Sequence, residues 1–145
     1  MGLAGSGKST QGQKLAEATG RTWLSAGQVL RDTNDPEIRA IQERGDLVSN
    51  EITERLMTEG MLKAVREDRD VVIDGFPRDV EQAQWIADNL ASVMKLVIII
   101  DVPKEELIRR LELRGREDDT GEAIEERFRI VEQNIYTICE ILQGK

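Results

Sequence analysis

The sequence predicts a single α/β domain in which helices cover both faces of a parallel sheet, a three-layer α/β/α arrangement. Short apolar segments alternate with helical patterns along the chain, which is typical of a doubly wound sheet. Two of these segments, residues 71–74 and 96–100, are nearly continuous β-branched runs, as expected of strands buried on both faces. The length of 145 residues fits one domain with one core.

The elements follow in chain order. Strands are predicted at residues 22–25, 71–74 and 96–100. Helices are predicted between and after them, from the spacing of apolar residues: Leu15, Ala16 and Ala18; Ile52, Leu56, Leu62 and Val65, opened by Ser49; Ala83, Ile86 and Leu90; Leu107, Ile108 and Leu111, after Pro103; and Ile124, Phe128, Val131, Ile135 and Ile138. Two insertions interrupt the alternation, a helical one at about residues 29–66 and a short polar one at about residues 114–121. Both are candidate moving parts.

Charge and composition exclude several classes of protein. The formal net charge is −8, whereas proteins that wrap long nucleic acid present a broad basic surface. With one cysteine and no histidine, an internal disulfide and a conventional zinc cluster are excluded. No apolar run approaches the ~20 residues that span a bilayer, and the N-terminal residues do not form a signal peptide. We therefore expect a cytoplasmic protein without membrane partners, monomeric unless a neighbouring chain completes the sheet.

The basic residues are biased in type. Of the 20 basic residues, 14 are arginine, and the planar fork of arginine suits bidentate phosphate binding. An acidic chain with clustered arginines indicates a small phosphorylated ligand held in a local pocket.

Residues 2–9 match the pattern G-x-x-x-x-G-K-[ST] without a gap. Such a loop needs glycines for its tight path, so that backbone N–H groups and a helix N-terminus can cradle a phosphate chain. Gly2, Gly5 and Gly7 supply the glycines. Lys8 is then expected to reach the β- and γ-phosphates, and Ser9, or else Thr10, to ligate or orient Mg²⁺. The alternative is a flexible tail rich in glycine and serine.

A second motif follows the strand at residues 71–74. Asp74 ends that strand and is followed by Gly75, Phe76, Pro77 and Arg78. An aspartate at this place holds the metal of a phosphate-binding site, usually through water, and Arg78 is placed to grip a phosphate. The alternative for Asp-Gly and the proline is an ordinary turn.

With Arg116-Glu-Asp118-Asp119 further on, these motifs resemble the adenylate kinase family in order and spacing over nearly the whole chain. The resemblance implies a P-loop NTPase fold with a helical acceptor-binding insertion and a short lid. It also implies a phosphotransferase that moves a phosphoryl group reversibly from Mg-ATP to AMP, giving two ADP. The alternatives are a kinase for UMP, CMP or another nucleoside monophosphate, and a nucleotide-binding fragment without turnover.

The resemblance also assigns residues to the two nucleotides. The ATP side comprises Gly5, Ser6, Gly7, Lys8, Ser9, Thr10, Arg110 and Arg114. The AMP side comprises Ala26, Arg31, Asp46, Leu47, Val48, Gly75, Phe76, Pro77, Arg78, Gln82, Arg116 and Arg127. The catalytic set is Lys8, Arg78, Arg110, Arg114, Arg116 and Arg127, with Asp118 and Asp119 orienting the arginines, and Mg²⁺ is held by Ser9 and Asp74.

Gln82 has two interpretations. In family members the amide at this position pairs with adenine. The spacing of Asp79 and Gln82 is also that of a helix capping box, in which the two side chains bond each other's backbone. Base recognition is the interpretation we favour, and both uses fit the same residues.

The chain departs from the family pattern in three ways. Ala26 stands where many relatives carry threonine, which weakens the assignment to AMP, and Ser9 replaces a typical glycine. Only Met1 precedes the loop, so the central strand, and the family's final strand and helix, are not in the sequence. We expect a portion of a longer protein, in preference to a chain completed by a neighbour or a reduced sheet. Made alone, such a chain is expected to be marginally stable, with weak or no kinase activity.

Overall fold

The computed structural model describes residues 1–114 and 121–143, with only the backbone of Arg114. The elements in chain order are α1 (Lys8–Thr19), β1 (Thr22–Ser25), α2 (Ala26–Asp32), α3 (Pro36–Glu43), α4 (Asn50–Arg66), β2 (Val71–Asp74), α5 (Val80–Leu90), α6 (Lys104–Arg114) and α7 (Gly121–Gln143). The first two predicted strands and the predicted helices are confirmed. Nearly all of the predicted lid at residues 114–121 lies outside the described residues.

The sheet consists of β1 and β2, which pair in parallel with Trp23 opposite Val72 and Leu24 opposite Ile73. Successive side chains of a strand point to opposite faces. Trp23 and Val72 face α1, whose Gly12 approaches so closely that a methyl group there would lie 3.2 Å from the indole. Leu24 and Ile73 face the opposite way, into the main apolar cluster. Helices therefore cover both faces of this small sheet.

The third predicted strand was wrong. Residues 96–100 carry no regular secondary structure, although they hydrogen-bond to one neighbour: the Met1 nitrogen donates to the carbonyl of Ile98, and the Ile100 N–H donates to the carbonyl of Met1 at 2.9 Å. A ladder requires a run of partner backbone groups, whereas in the described part of the chain the bonds of this segment go to Met1 alone. Leu96 consequently remains 74% exposed.

The main core joins the sheet to three helices. Leu24 of β1, Met57 of α4, Ala83 of α5 and Ile138 of α7 are buried together, with Phe76 from the loop after β2. The ring of Phe76 meets that of Trp85 edge to face, with centroids 5.9 Å apart, a favourable aromatic arrangement. This core fixes the carboxyl ends of both strands, where the predicted site residues lie.

Two smaller clusters hold the parts around the core. Leu107 and Leu111 of α6 pack with Ile124 and Phe128 of α7, and Leu3 and Ala4 of the glycine-rich loop rest against them. A third cluster, built from Leu30, Ile38 and Val48, holds α2, α3 and the loop before α4 together. Within residues 1–114 and 121–143, no helix combines the length and apolarity needed to cross a membrane.

Candidate active site

The glycine-rich loop turns tightly between Met1 and α1. Gly2 has a φ of 147°, and a Cβ there would lie 2.5 Å from the carbonyl oxygen of Ile100. Gly5 has a φ of 81° and approaches the carbonyl oxygen of Leu107 in α6. Larger residues at either position would be strained and would clash with backbone. The glycines therefore seat the loop against residues 96–100 and α6, with the N-terminus of α1 behind it.

Lys8, Ser9 and Asp74 meet at the carboxyl end of β2. The Lys8 Nζ donates to the carbonyl of Leu3 within the loop at 3.1 Å. The Ser9 hydroxyl donates to Oδ2 of Asp74 at 2.6 Å. Ser9, near the start of α1, is thus directly tied to the aspartate that ends β2, and Lys8 is tied back to the glycine-rich loop.

Asp74 has the features of a residue that helps to hold a cation. Its side chain is buried, and Oδ1 has no hydrogen-bond partner among the described residues. A buried carboxylate oxygen without a partner is costly, and Mg²⁺ prefers oxygen ligands such as this carboxylate and the Ser9 hydroxyl. No group of three or more acidic, cysteine or histidine side chains that could hold a metal occurs in the described part of the chain. Phosphate oxygens and water would therefore have to complete the coordination.

Arg31 of α2 and Arg78 after β2 converge beside Gly27. A Cβ at Gly27 would lie 3.3 Å from Nη2 of Arg78 and 3.4 Å from Nη1 of Arg31. The Arg78 Nε also donates to the carbonyl of Gly75 at 2.8 Å, which fixes the direction of its side chain. Two guanidinium groups in one place form a strong binding site for a phosphate.

Arg127 of α7 reaches the same region from the other side. Its Nη2 donates to the carbonyl of Gln42, at the end of α3, at 2.8 Å. This bond joins two elements that are 85 residues apart in sequence.

One cavity of about 140 Å³ connects these groups. Its lining includes Lys8, Ser9, Asp74, Arg31, Asp46, Leu47, Gly75, Phe76, Pro77, Arg78 and Arg127. A second cavity of about 10 Å³ is lined by Ala26, Leu47, Val48, Gly75, Arg78 and Gln82, with Leu30 and Thr53. Most of the residues predicted for the acceptor side therefore lie around two adjoining cavities, and Lys8, Ser9 and Asp74 from the loop side share the larger one.

Gln82 is only 2% exposed, and both polar ends of its side chain bond the protein. Asp79 caps α5 by accepting from the backbone N–H of Gln82 at 2.8 Å, which is one half of a capping box. The Gln82 side chain departs from the box. Its Oε1 accepts from the backbone N–H of Arg78 at 2.8 Å, and its Nε2 donates to Oδ1 of Asn50 at 2.8 Å. The helix-capping use is thus partly present, and base recognition stays a prediction.

Several predicted residues do not line either cavity. Arg110 is exposed and pairs with Glu106 at 2.7 Å, and hydrogen bonds from Arg109 and then Arg110 lower the pKa of Glu106 to about 2. Thr10 is exposed. Gly5, Ser6 and Gly7 belong to the glycine-rich loop but do not line the larger cavity. The Arg114 side chain, Arg116, Asp118 and Asp119 lie outside the described residues.

Sequence reasoning missed three neighbours of the predicted residues. They are Asn50, which bonds Gln82; the carbonyl of Gln42, which accepts from Arg127; and Glu106, which pairs with Arg110. Asn50 and Gln42 belong to no motif and are distant in sequence from their partners. The Glu106–Arg110 pair has the i,i+4 spacing of helical ion pairs, and that spacing could have identified it.

Acidic groups gather where α4 begins beside α5. The Asn50 Nδ2 donates to Glu81 at 2.7 Å and, more weakly, approaches Asp79 at 3.5 Å. Burial, then the charges of Glu81 and Asp79, raise the pKa of Glu54 above its ordinary value. The region around Gln82 is therefore rich in hydrogen-bond acceptors.

Comparison with known proteins identifies the family of the chain. The family model described as adenylate kinase matches residues 1–145. An adenylate kinase of Prochlorococcus marinus (strain AS9601) is 35% identical over 139 residues, covering 90% of this chain and 75% of that protein. One from Thermus thermophilus is 37% identical over 144 residues, covering 90% and 74%. Adenylate kinase isoenzyme 1 of Caenorhabditis elegans is 35% identical over 156 residues, covering 100% and 74%. The chain belongs to the adenylate kinase family, a family of phosphotransferases.

Proposed function

We propose that this chain transfers a phosphoryl group reversibly from Mg-ATP to AMP, giving two ADP. The observation that carries the proposal is the meeting of cationic groups from two sides of one cavity. Arg31 and Arg78 converge beside Gly27, and Lys8 lines the same cavity from the glycine-rich loop. A transferred phosphoryl group needs a donor phosphate chain and an acceptor phosphate on either side of it.

The two halves of the site divide the nucleotides between them. The glycine-rich loop, Lys8 and Ser9 take the ATP phosphates, with Arg110 and Arg114 as further donor-side groups. Arg31, Arg78 and Arg127 take the AMP phosphate, with Arg116 as a further group. The helical part at residues 29–66 forms the acceptor-binding insertion, supported by Asp46 and Leu47 in the cavity lining. The assignment of residues 114–121 to the short lid rests on the family resemblance alone.

Mg²⁺ would be held at Ser9 and Asp74, partly through water. The unpartnered Oδ1 of Asp74, among the described residues, and the neighbouring Ser9 hydroxyl support this position. When bound, the ion neutralises charge on the donor phosphates and orients them.

Phosphoryl transfer depends on positioning of the substrates and on neutralisation of their charge more than on proton transfer by the protein. The attacking oxygen belongs to the acceptor phosphate, which is already anionic near neutral pH, so no histidine base is needed. Lys8, Arg78 and Arg127 offset the charge that spreads over the transferred group, and each such contact is worth on the order of a few kcal/mol of barrier. We also infer the three-layer α/β/α fold of a P-loop NTPase, supported by the helices that cover both faces of β1 and β2.

A second candidate is transfer to another nucleoside monophosphate. Ala26 favours it, because it places a methyl group in the wall beside Gln82, at a position where the family resemblance implies a threonine hydroxyl beside the base. Nucleotide binding without turnover is the third hypothesis, in which the site holds ATP and transfers nothing.

The test is ADP formation from ATP and Mg²⁺ with AMP, UMP, CMP or GMP as acceptor. AMP is expected to give the highest kcat/KM. Lys8→Ala is expected to lower kcat by about 100-fold or more, whereas Lys14→Ala, an exposed lysine on the same helix, leaves it unchanged. Arg31→Ala is expected to raise the KM for AMP, with the exposed Arg39→Ala as its control.

Each outcome selects one hypothesis. A pyrimidine monophosphate used better than AMP would establish the second candidate. ATP binding without product from any acceptor would remove the enzymatic proposal. Equal losses in Lys8→Ala and Lys14→Ala would show that the glycine-rich loop is not the donor site.

A further inference from the structure

The side-chain amide of Gln82 is held at both of its polar ends. Its Oε1 accepts from the backbone N–H of Arg78 at 2.8 Å, and its Nε2 donates to Oδ1 of Asn50 at 2.8 Å. A backbone N–H can only donate. The oxygen of the Gln82 amide must therefore face Arg78, and the nitrogen must face Asn50.

The side-chain amide of Asn50 is itself fixed in one orientation. Its Nδ2 donates to the Glu81 carboxylate at 2.7 Å and approaches that of Asp79 at 3.5 Å. An ionised carboxylate can only accept. Turning the Asn50 amide over would place its oxygen against these carboxylates, so Oδ1 is kept toward Gln82.

The result is a hydrogen-bond chain with a fixed direction. It runs from the Arg78 N–H through Gln82 and Asn50 to the carboxylates, and a fixed donor or acceptor stands at each end. Reversing the Gln82 amide would leave the N–H of Arg78 without this acceptor and place two oxygens together at Asn50. Leaving a buried polar group without its partner is expensive.

Each end of the Gln82 amide has one further bonding position. Oε1 retains a second lone pair and Nε2 a second N–H. Gln82 lines the small cavity whose other walls include Ala26, Val48 and Gly75. A volume of about 10 Å³ admits about one water, so a ligand must widen this cavity to reach the amide.

We infer that Asn50 is a specificity-determining positioning residue. By fixing the sense of the Gln82 amide, it makes the site accept a base that donates at position 6 and accepts at N1, as a 6-amino purine does. A 6-oxo purine carries an acceptor at position 6 and a donor at N1, and in the same pose it needs the reversed amide. This inference rests on the proposed function, because it takes AMP as the acceptor nucleotide.

AMP and IMP form the natural pair of probes, since their bases differ only at this edge. The experiment measures the ratio of the Kd for IMP to the Kd for AMP by calorimetry, without ATP, in the full chain. A general loss of folding or of phosphate binding weakens both nucleotides together. A changed ratio reports the direction of the amide.

Asn50→Leu removes the acceptor at similar size and is expected to lower the ratio by about tenfold, the order of magnitude set by one lost buried hydrogen bond. Asn50→Asp keeps an acceptor toward Nε2 and is expected to retain the ratio, even where repulsion from Glu81 lowers stability. Glu81→Ala, at an exposed position, removes the carboxylate that accepts from Asn50 at the far end of the hydrogen-bond chain. It is expected to lower the ratio by a few-fold. Asn89→Leu, the same change at an exposed site on α5, is the matched control.

The outcomes separate this inference from the proposed function. AMP binding to the unmodified chain with an unchanged ratio in both Asn50→Leu and Glu81→Ala overturns the role of Asn50 and leaves the AMP site standing. A ratio that falls equally in Asn50→Asp and Asn50→Leu also overturns it. Binding of neither nucleotide to the unmodified chain overturns the acceptor assignment and this inference together.

Discussion

Residues 71–74 and 96–100 look alike in sequence and differ in structure. Both are apolar runs rich in valine and isoleucine. The first pairs in register with β1 and becomes a strand, and the second bonds Met1 and remains irregular. A run of β-branched residues therefore indicates only that a segment is apolar enough to be buried. It becomes a strand only where a neighbouring segment offers backbone groups for hydrogen bonding.

The largest expected effect separates the paired sheet from the unpaired segment. Leu24→Ala in β1 removes a buried side chain of the main core and is expected to lower the free energy of unfolding by about 2–5 kcal/mol. Ile98→Ala alters a side chain that is 47% exposed and is expected to cost less than about 1 kcal/mol. Urea unfolding measures both. Equal losses would mean that residues 96–100 are buried as well as the sheet is.

A smaller effect tests how residues 96–100 are held. Gly2→Ala places a methyl group against the Ile100 carbonyl in a backbone conformation that favours glycine. Gly20→Ala also places a side chain at positive φ, but in the left-handed helical region at the end of α1 and with open space around it, and it is expected to cost about 1 kcal/mol. The change at Gly2 should cost more and should speed amide hydrogen exchange at Ile100. Equal costs, with exchange at Ile100 unaltered, would contradict a firm contact there.

The smallest effect concerns the charge of Glu54, in the packed region where α4 meets α5. The pKa of Glu54 is raised above 4.5, first by burial and then by Glu81 and Asp79. Below pH 4.5 the Glu54 carboxyl is protonated in the folded and the unfolded protein, and its contribution to stability is then most favourable. This contribution is lost as pH rises through the pKa of Glu54 in the folded protein, because the charged form is disfavoured there.

Glu54→Gln is accordingly expected to raise Tm slightly at about pH 7, with the difference fading below pH 4.5. Thermal unfolding at several pH values measures the effect. Glu140→Gln, on the exposed face of α7, is the control and should show no such trend. A Glu54→Gln benefit that grows in acid would reverse the sign of the argument.

Most of the fold could be predicted from local sequence patterns, because the spacing of apolar residues indicates the helices and short apolar segments indicate the paired strands. The meeting of Ser9 with Asp74 was also predictable, because their two motifs assign both residues to the same Mg²⁺. The state of residues 96–100 was not predictable, because it depends on a neighbour rather than on the segment. The partners of Gln82 were equally hidden. Asn50 is 32 residues away, and nothing about its type indicates which amide it will bond.

The two tryptophans lie behind different halves of the site. Trp23 packs against Gly12 of the helix that follows the glycine-rich loop, and Trp85 meets the ring of Phe76, which lines the cavity beside Arg78. The molecule therefore carries a separate intrinsic fluorophore for each half. With one of them replaced by phenylalanine, the emission of the other would report on a single nucleotide, so occupancy of the two halves could be followed independently and without a label.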